Sequence, residues 1–169
     1  STVLPAVMEI AEFLATFKPL HPRLPADNHG PRLPLLILLL CEILGLLCFV
    51  LPWLFPRYCF VLVWLSVVLI LDPINNFVGR KSALAHIAVG DWHFFVLPLA
   101  GLCCGFFWEM WNFYALPKWY YTIPYVGFWK IFEMPILGYL GYLPFALELF
   151  ALYQFVLWLI RQKNDYLTI

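Results

Sequence analysis

Charged residues are scarce in this sequence. Of its 169 residues, 12% are Asp, Glu, Lys or Arg, whereas 64% are apolar and 20% are aromatic. A soluble domain carries roughly 25% charged residues, because charged side chains solvate its surface. The shortage therefore excludes a soluble enzyme, a disordered chain and a secreted disulfide scaffold. It predicts an integral membrane protein whose main partner is the lipid bilayer.

A surplus of positive charge is also missing. Ten Lys and Arg residues balance ten Asp and Glu residues. Nucleic-acid binding requires a basic surface, so no nucleic-acid partner is expected. The five cysteines form no C-x-x-C pair and are expected to be small buried apolar residues. The sequence also lacks a histidine box and a phosphate-binding glycine loop, so no cofactor is predicted.

Four apolar runs are long enough to be membrane-spanning helices. About 20 apolar residues cross the hydrocarbon core of a bilayer. The runs are continuously apolar rather than alternating, which indicates helices and not strands. The predicted spans are about 33–55, 58–77, 92–116 and 136–160. We expect an all-α fold, with residues 33–169 forming one polytopic transmembrane bundle.

Residues 1–32 are predicted to be a separate N-terminal region. Within it, residues 5–17 place Glu9 and Glu12 on one side of a helix, opposite an apolar face. This pattern is typical of an amphipathic helix that lies on a membrane surface. A proline-rich linker, residues 19–34, follows the helix.

The loop charges predict the orientation of the bundle. With four spans, the N-terminal arm, the second loop and the C-terminal tail share one side and carry seven Lys and Arg residues. The opposite side carries three, which are Arg57, Lys118 and Lys130. Because short cytoplasmic loops are enriched in Lys and Arg, both termini are predicted to be cytoplasmic.

Two connections have distinct local signals. In residues 78–91, Ser82 is a predicted N-cap and Gly90 a predicted stop, so a short helix is expected between them. Residues 117–135 are rich in Trp, Tyr and Phe but are interrupted by prolines. They are therefore predicted to lie in the interface or to dip into the bundle rather than to span it.

Three acidic residues lie inside the predicted spans, and no Lys or Arg accompanies them there. They are Glu42, Glu109 and Glu148. An ionisable residue in a span costs on the order of 2.5–3.5 kcal/mol, so its presence favours a functional role. Each acid continues a stripe of small residues at helical spacing, which predicts that it faces the bundle. The alternative is that the acids only join helices by hydrogen bonds.

Asp72 and Asn75 repeat the spacing of Glu109 and Asn112. Asp72 precedes a proline, which is typical of a residue that caps a helix. Alternatively, carboxylate and amide oxygens on shared helix faces would suit a divalent cation.

Residues 108–148 contain an ordered set of motifs. An acid in a span is followed by an aromatic connection that ends in Val-Gly, and then by a proline-linked carboxylate motif. The positions are Glu109, Trp119-Tyr120-Tyr121, Val126-Gly127, Phe132-Glu133-Met134-Pro135 and Pro144-Phe145. This region resembles the membrane lycopene cyclase domain. It departs from that family in lacking an adjacent pair of glutamates after a proline.

Acids and aromatic walls in a dry bundle suit an apolar isoprenoid-type ligand, such as a carotenoid, a quinone or a lipid. A carboxylic acid can protonate a carbon–carbon double bond, and aromatic faces stabilise the resulting cation. In an acid-catalysed cyclase or isomerase, Glu109 or Glu148 would donate the proton and Glu133 would be the base or cation stabiliser. The predicted ligand-binding residues are Asn112, Trp108, Trp111, Trp119, Tyr120, Tyr121 and Glu42.

The excess of aromatic residues also fits a second class of protein. A non-catalytic accessory subunit of a larger bioenergetic or pigment-binding membrane complex would use such rings to contact other subunits. In that case the acids would form hydrogen bonds across interfaces. The sequence leaves the choice between enzyme and accessory subunit open.

Overall fold

The protein is mostly helical. A computed structural model describes residues 2–17, 31–122 and 127–162, with the side chains of residues 92 and 93 excepted. The helices in this part of the chain are α1 (Val3–Ala15), α2 (Leu35–Leu54), α3 (Pro56–Cys59), α4 (Leu62–Phe77), α5 (Ala83–Ala88), α6 (Val96–Tyr114) and α7 (Tyr142–Leu159). Short 3-10 helices, Trp92–Phe95 and Ile136–Gly141, precede α6 and α7. Most of the predicted proline-rich linker lies outside the described residues.

Two helical segments are long and apolar enough to cross a membrane. They are α2 and the continuous segment Ile136–Leu159, and they coincide with the first and fourth predicted spans. The helix α4 coincides with most of the second predicted span but has 16 residues, fewer than the ~20 of a typical spanning helix. The all-α class is confirmed, whereas the count of four spans remains a prediction.

Glycines allow the helices to approach one another closely. The helix α4 packs between α2 and α7, and α6 packs against α7 and α1. A Cβ atom added to Gly45 of α2 would lie 2.9 Å from the Cγ1 atom of Ile70 in α4. One added to Gly101 of α6 would lie 2.5 Å from the Tyr142 carbonyl oxygen in α7. In apolar surroundings, such small residues permit the close packing that holds helices together.

The surroundings of α1 differ from the prediction. Its buried side chains, which include Val7 and Ala11, pack against α6 and share one hydrophobic core with Leu97 and Phe150. The apolar face is therefore covered by protein, and the position of α1 at a membrane surface stays a prediction. An amphipathic pattern shows that one helix face is buried, but it does not show what buries that face.

The connection between α4 and α6 confirms the predicted short helix. Ser82 caps α5 by accepting a hydrogen bond from the Ala85 N–H at 3.2 Å. Gly90 adopts a φ of +74°, which suits the end of a helix. Local capping signals were sufficient to place this helix.

The connection between α6 and α7 contains no helix in its described parts before Ile136, as predicted. Its second part is a two-residue antiparallel ladder between β1 (Lys130–Ile131) and β2 (Met134–Pro135). Phe132, in the turn, has a φ of +58°, and its ring contacts those of Phe106 and Phe113. These ring contacts anchor the turn beside α6.

Candidate ligand-binding site

A fully buried carboxyl group lies near the C-terminal end of α6. Glu109 Oε1 accepts hydrogen bonds from the hydroxyl groups of Tyr121, at 2.5 Å, and Tyr142, at 2.9 Å. Its other oxygen, Oε2, is buried and has no hydrogen-bond partner among the described residues. Gly101, Gly105 and Asn112, which share the predicted stripe, are buried as well. The prediction that this face of α6 points into the bundle is confirmed.

The tyrosine from the connection is held in place by the second polar residue of the stripe. Asn112 Oδ1 accepts a hydrogen bond from the Trp119 N–H at 2.9 Å, and its Nδ2 donates to the Trp119 carbonyl at 3.0 Å. The indole N–H of Trp119 then donates to the Tyr121 hydroxyl at 2.7 Å. Glu109 and Asn112 together therefore fold the connection back onto α6, and its position at the interface or within the bundle stays a prediction.

Burial raises the pKa of Tyr121, and its hydrogen bond to Glu109 raises that pKa further. Both effects disfavour the phenolate. The Tyr121 hydroxyl therefore keeps its proton at neutral pH and acts as a donor to the carboxyl group.

The second tyrosine reaches Glu109 because Gly105 has no side chain. A Cβ atom added to Gly105 would lie 2.5 Å from Cγ and Cε2 of Tyr142, and closer still to Cδ2. The ring therefore lies directly on the backbone of α6, one helical turn before Glu109. A glycine at this position permits the hydrogen bond between the two helices.

A cavity of about 260 Å³ lies beside these tyrosines. Tyr121 and Tyr142 form part of its wall, so Glu109 is one hydrogen bond away from the cavity. A Cβ atom on Gly141 would come 2.9 Å from Cε3 of Trp64. Most of the lining is aromatic or aliphatic, and it consists of Val3, Trp64, Trp108, Tyr121, Met134, Gly138, Gly141, Tyr142 and Phe145.

The predicted aromatic residues divide into two groups. Trp108 and Tyr121 line the cavity, and Trp119 supports Tyr121. Trp111 and Tyr120 are 60% and 66% exposed and do not line it. Trp111 lies two residues after Glu109, and residues at that spacing point to different sides of a helix. This position explains why Trp111 does not line the cavity.

Glu133 is bound to a lysine and makes no hydrogen bond to Glu109. Its Oε1 lies 2.5 Å from Lys118 Nζ, and the ammonium group stands over the rings of Phe113 and Tyr120. The hydrogen bond to Glu133 and the charge of Glu133 raise the pKa of Lys118. A base role for Glu133 stays a prediction, with Met134, its neighbour, in the cavity wall.

Glu148 and Glu42 do not join Glu109 in one cluster. No hydrogen bond or ion pair within the described ranges connects either residue to it. Glu148 lies in α7, and its Oε2 is buried with no hydrogen-bond partner in the described part of the chain. Glu42 belongs to α2, which packs mainly on α4. Each helical stripe predicted an inward-facing acid, but it did not determine which helix that acid would meet.

Asp72 and Asn75 serve helix packing. Asp72 lies inside α4 and accepts hydrogen bonds from the Ser82 hydroxyl and from the N–H groups of Ala83 and Leu84, at 2.5, 2.8 and 2.9 Å. It therefore caps α5, not a helix of its own. Asn75 Nδ2 donates to the Ala151 carbonyl of α7 at 2.8 Å. In the part of the chain that the structure describes, no group of three or more His, Cys, Asp or Glu residues is arranged to hold a metal ion.

Sequence reasoning missed Tyr142, Trp64 and Met134. Gly105 and Gly141 were the available signals, because a glycine in a helix interface indicates that a neighbouring group lies close. They did not identify that group. The pairing of Gly105 with Tyr142, and of Gly141 with Trp64, depends on the register between helices.

Comparisons with known proteins leave the chain without an assigned family. No protein family matches it, and neither a curated protein nor a solved structure is significantly similar to it. The fold and site define a mostly helical protein with two candidate spanning segments and a buried carboxyl group beside an aromatic cavity.

Proposed function

We propose that this chain is an integral membrane protein with four spans that binds one end of an apolar, isoprenoid-type molecule in the cavity beside Glu109. The observation that carries the proposal is the buried Glu109 carboxyl, held by two tyrosine hydroxyls that also line the cavity. A buried acid is costly in a membrane protein and is therefore retained for a function.

Insertion into a bilayer is supported by the surface of α2. Of its 20 residues, only Leu38, Gly45 and Cys48 are buried, whereas most of its leucines are exposed. A contiguous apolar surface of this kind is unfavourable in water. Lipid tails, by contrast, solvate such a helix without cost.

The size of the cavity favours an end group over a whole molecule. Sites for drug-sized ligands occupy roughly 300–1,000 Å³, and this cavity measures about 260 Å³. A ring or a short run of isoprene units fits that volume. The rest of an extended carotenoid, quinone or lipid would lie along the bundle in the hydrocarbon region.

In an enzymatic version of this function, Glu109 supplies a proton to one carbon of a ligand double bond through the Tyr142 hydroxyl, which lines the cavity. The rings of Trp64, Trp108 and Phe145 stabilise the carbocation that forms. A second double bond then attacks the cation and closes a ring, or no ring closes. A neighbouring carbon then loses a proton, which returns to the Glu109 carboxylate. This step restores the acid and gives a cyclised or isomerised product.

The test is the ligand content of protein extracted gently from its source membrane, measured by native mass spectrometry. The wild-type protein should carry one non-phospholipid molecule, and Gly138→Leu should lose it because the new side chain fills the cavity. Trp111→Leu, at an exposed position, is the matched control. With a polyene substrate, Glu109→Gln should lower turnover at least about 100-fold. A wild-type protein without any such ligand would contradict the proposal.

A second function, that of an accessory subunit, is favoured by the aromatic surface of α6 and the following connection. Trp111, Tyr114 and Trp119 are all more than half exposed. Such rings would contact a neighbouring subunit. Co-purification with fixed partners, together with unchanged ligand content in Glu109→Gln, would favour this function over the first.

A further inference from the structure

A second cavity lies at the opposite end of the bundle from Glu109. It has a volume of about 180 Å³ and lies where α2 begins and α4 ends. Its lining combines a guanidinium and an amide with apolar side chains, and it consists of Arg32, Leu33, Leu35, Leu38, Asn76 and Phe77. The cavity therefore has a cationic part and an apolar part.

Asn76 fixes the position of the arginine. Its Nδ2 donates to the Pro31 carbonyl at 2.9 Å, and its Oδ1 accepts from the Leu33 N–H at 3.0 Å. The residue between these two, Arg32, is thus held at the end of α4. A Cβ atom on Gly79, whose φ is +82°, would lie 3.0 Å from Arg32 Nη2. The guanidinium group therefore lies against the backbone that follows α4.

A second guanidinium group, that of Arg80, follows Gly79 directly in the chain. Arg80 Nη1 donates to the Gln162 carbonyl at 3.2 Å, but Nε and Nη2 are buried and have no hydrogen-bond partner among the described residues. These two nitrogens form the parallel pair of donors with which arginine binds two oxygens of a carboxylate or phosphate. A buried cation without such a partner is unfavourable.

Neither Arg32 nor Arg80 forms an ion pair with a carboxylate within residues 2–17, 31–122 and 127–162. The ion pairs found there join His86 to Asp91 and Lys118 to Glu133. The arginines also lie on the side that carries seven of the ten Lys and Arg residues in the predicted topology. A basic pocket at that side of a membrane protein suits the head group of an anionic lipid.

We propose that this cavity binds one anionic phospholipid. Its phosphate oxygens accept hydrogen bonds from Arg32, which lines the cavity. The positive charge of Arg80, which follows Gly79 in the chain, attracts the same group. One acyl chain follows the apolar lining, where Leu35 and Phe77 are 60% and 68% exposed and Leu38 is buried. This inference depends on the membrane insertion in the proposed function, but not on the ligand beside Glu109.

The experiment uses the whole chain in lipid nanodiscs of phosphatidylcholine with added phosphatidylglycerol. Native mass spectrometry of the released protein counts the retained lipids of each kind. The wild-type protein should retain one phosphatidylglycerol. Arg32→Gln should weaken that retention about fivefold. Arg80→Gln should weaken it less, because Arg80 acts only through its charge. Arg57→Gln, at the opposite end of the bundle, is the matched control and should leave retention unchanged.

Two further measurements separate a lipid from a free anion. Leu38→Ala should weaken retention of phosphatidylglycerol, because it removes contacts with the acyl chain. Inorganic phosphate at millimolar concentration should not displace the lipid. Displacement by phosphate, with no effect of Leu38→Ala, would mean that the site binds a simple anion and would overturn the lipid proposal.

Three other results have defined meanings. Equal retention of both lipids, or an equal loss in Arg57→Gln, would overturn the proposal even if the Glu109 ligand is found. A chain that does not enter nanodiscs at all would contradict membrane insertion and hence both proposals. If Arg80→Gln does not fold, Arg32→Gln and Leu38→Ala decide the question, because among the described residues neither side chain forms a hydrogen bond to α7.

Discussion

Replacing Gly105 with alanine should push Tyr142 away from Glu109. The added Cβ atom would lie 2.5 Å from two ring carbons of Tyr142, well inside van der Waals contact. The ring lies on the α6 backbone, with the rings of Trp108 and Phe145 beside it, so the added atom must displace it. We therefore expect the two helices to separate slightly at this level and the hydrogen bond to Glu109 to lengthen or break.

The expected magnitude follows from two losses and one gain. Overpacking a well-packed interior costs about 1–3 kcal/mol, and a lost hydrogen bond costs about 0.5–1.5 kcal/mol. Alanine recovers up to about 1 kcal/mol relative to glycine in helix propensity. The free energy of unfolding of Gly105→Ala should therefore fall by about 2 kcal/mol. Tyr142→Phe, which removes only the hydroxyl group, should cost about 1 kcal/mol.

The assay is reversible unfolding of the detergent-solubilised protein by dodecyl sulfate, followed by tryptophan fluorescence. Gly138→Ala is the matched control. The three atoms nearest to its Cβ atom would all belong to the flexible side chain of Met134, at 3.0 Å or more. The substitution should therefore cost less than about 0.5 kcal/mol. If Gly105→Ala were as stable as the wild-type protein, or Gly138→Ala equally damaging, the described packing of Tyr142 on α6 would be wrong.

Two further predictions concern the connection between α6 and α7. Asn112→Ala removes the hydrogen bonds to the backbone N–H and C=O of Trp119 and should cost about 1–3 kcal/mol. Limited proteolysis should then cut near Trp119 faster than in Tyr120→Phe, an exposed control, and equal rates would refute the anchoring role. Glu133 raises the pKa of Lys118 above its ordinary value of 10.5. The stabilisation from this pair is thus complete below that value and is lost as the pH rises through the raised pKa. The free energy of unfolding, measured from pH 8 to 12, should show this loss in the wild-type protein but not in Lys118→Met. The same pH dependence in both proteins would exclude a stabilising ion pair.

Local signals explain why the helices and their ends were predictable. Continuous apolar runs determined the positions of α2, α4, α6 and α7 because the backbone polar groups of such a run must be hydrogen-bonded within the segment, as they are in a helix. Ser82 and Gly90 determined α5 because capping and positive φ depend on a few adjacent residues. The inward direction of Glu109 was predictable because the spacing of small residues along one helix defines its contact face.

Contacts between helices explain the predictions that differ from the structure. Glu42, Glu109 and Glu148 each had an interpretable local pattern, yet no hydrogen bond in the described part of the chain joins them. Asp72 had the pattern of a cap, but the helix that it caps begins eleven residues later, at Ala83. In each case the missing information was the partner helix and its register, which the pattern of one segment does not contain.

The sequence alone determined a helical, lipid-compatible protein with an acid on α6 that faces the bundle. That result depends on composition and helical periodicity, which are properties of one segment at a time. Only the tertiary structure determined that Tyr121 and Tyr142 hold Glu109, that Trp64 and Met134 close a cavity beside it, and that α1 is covered by α6. These contacts depend on how side chains from distant segments fit together, and steric fit between helices is set only when the whole bundle is packed.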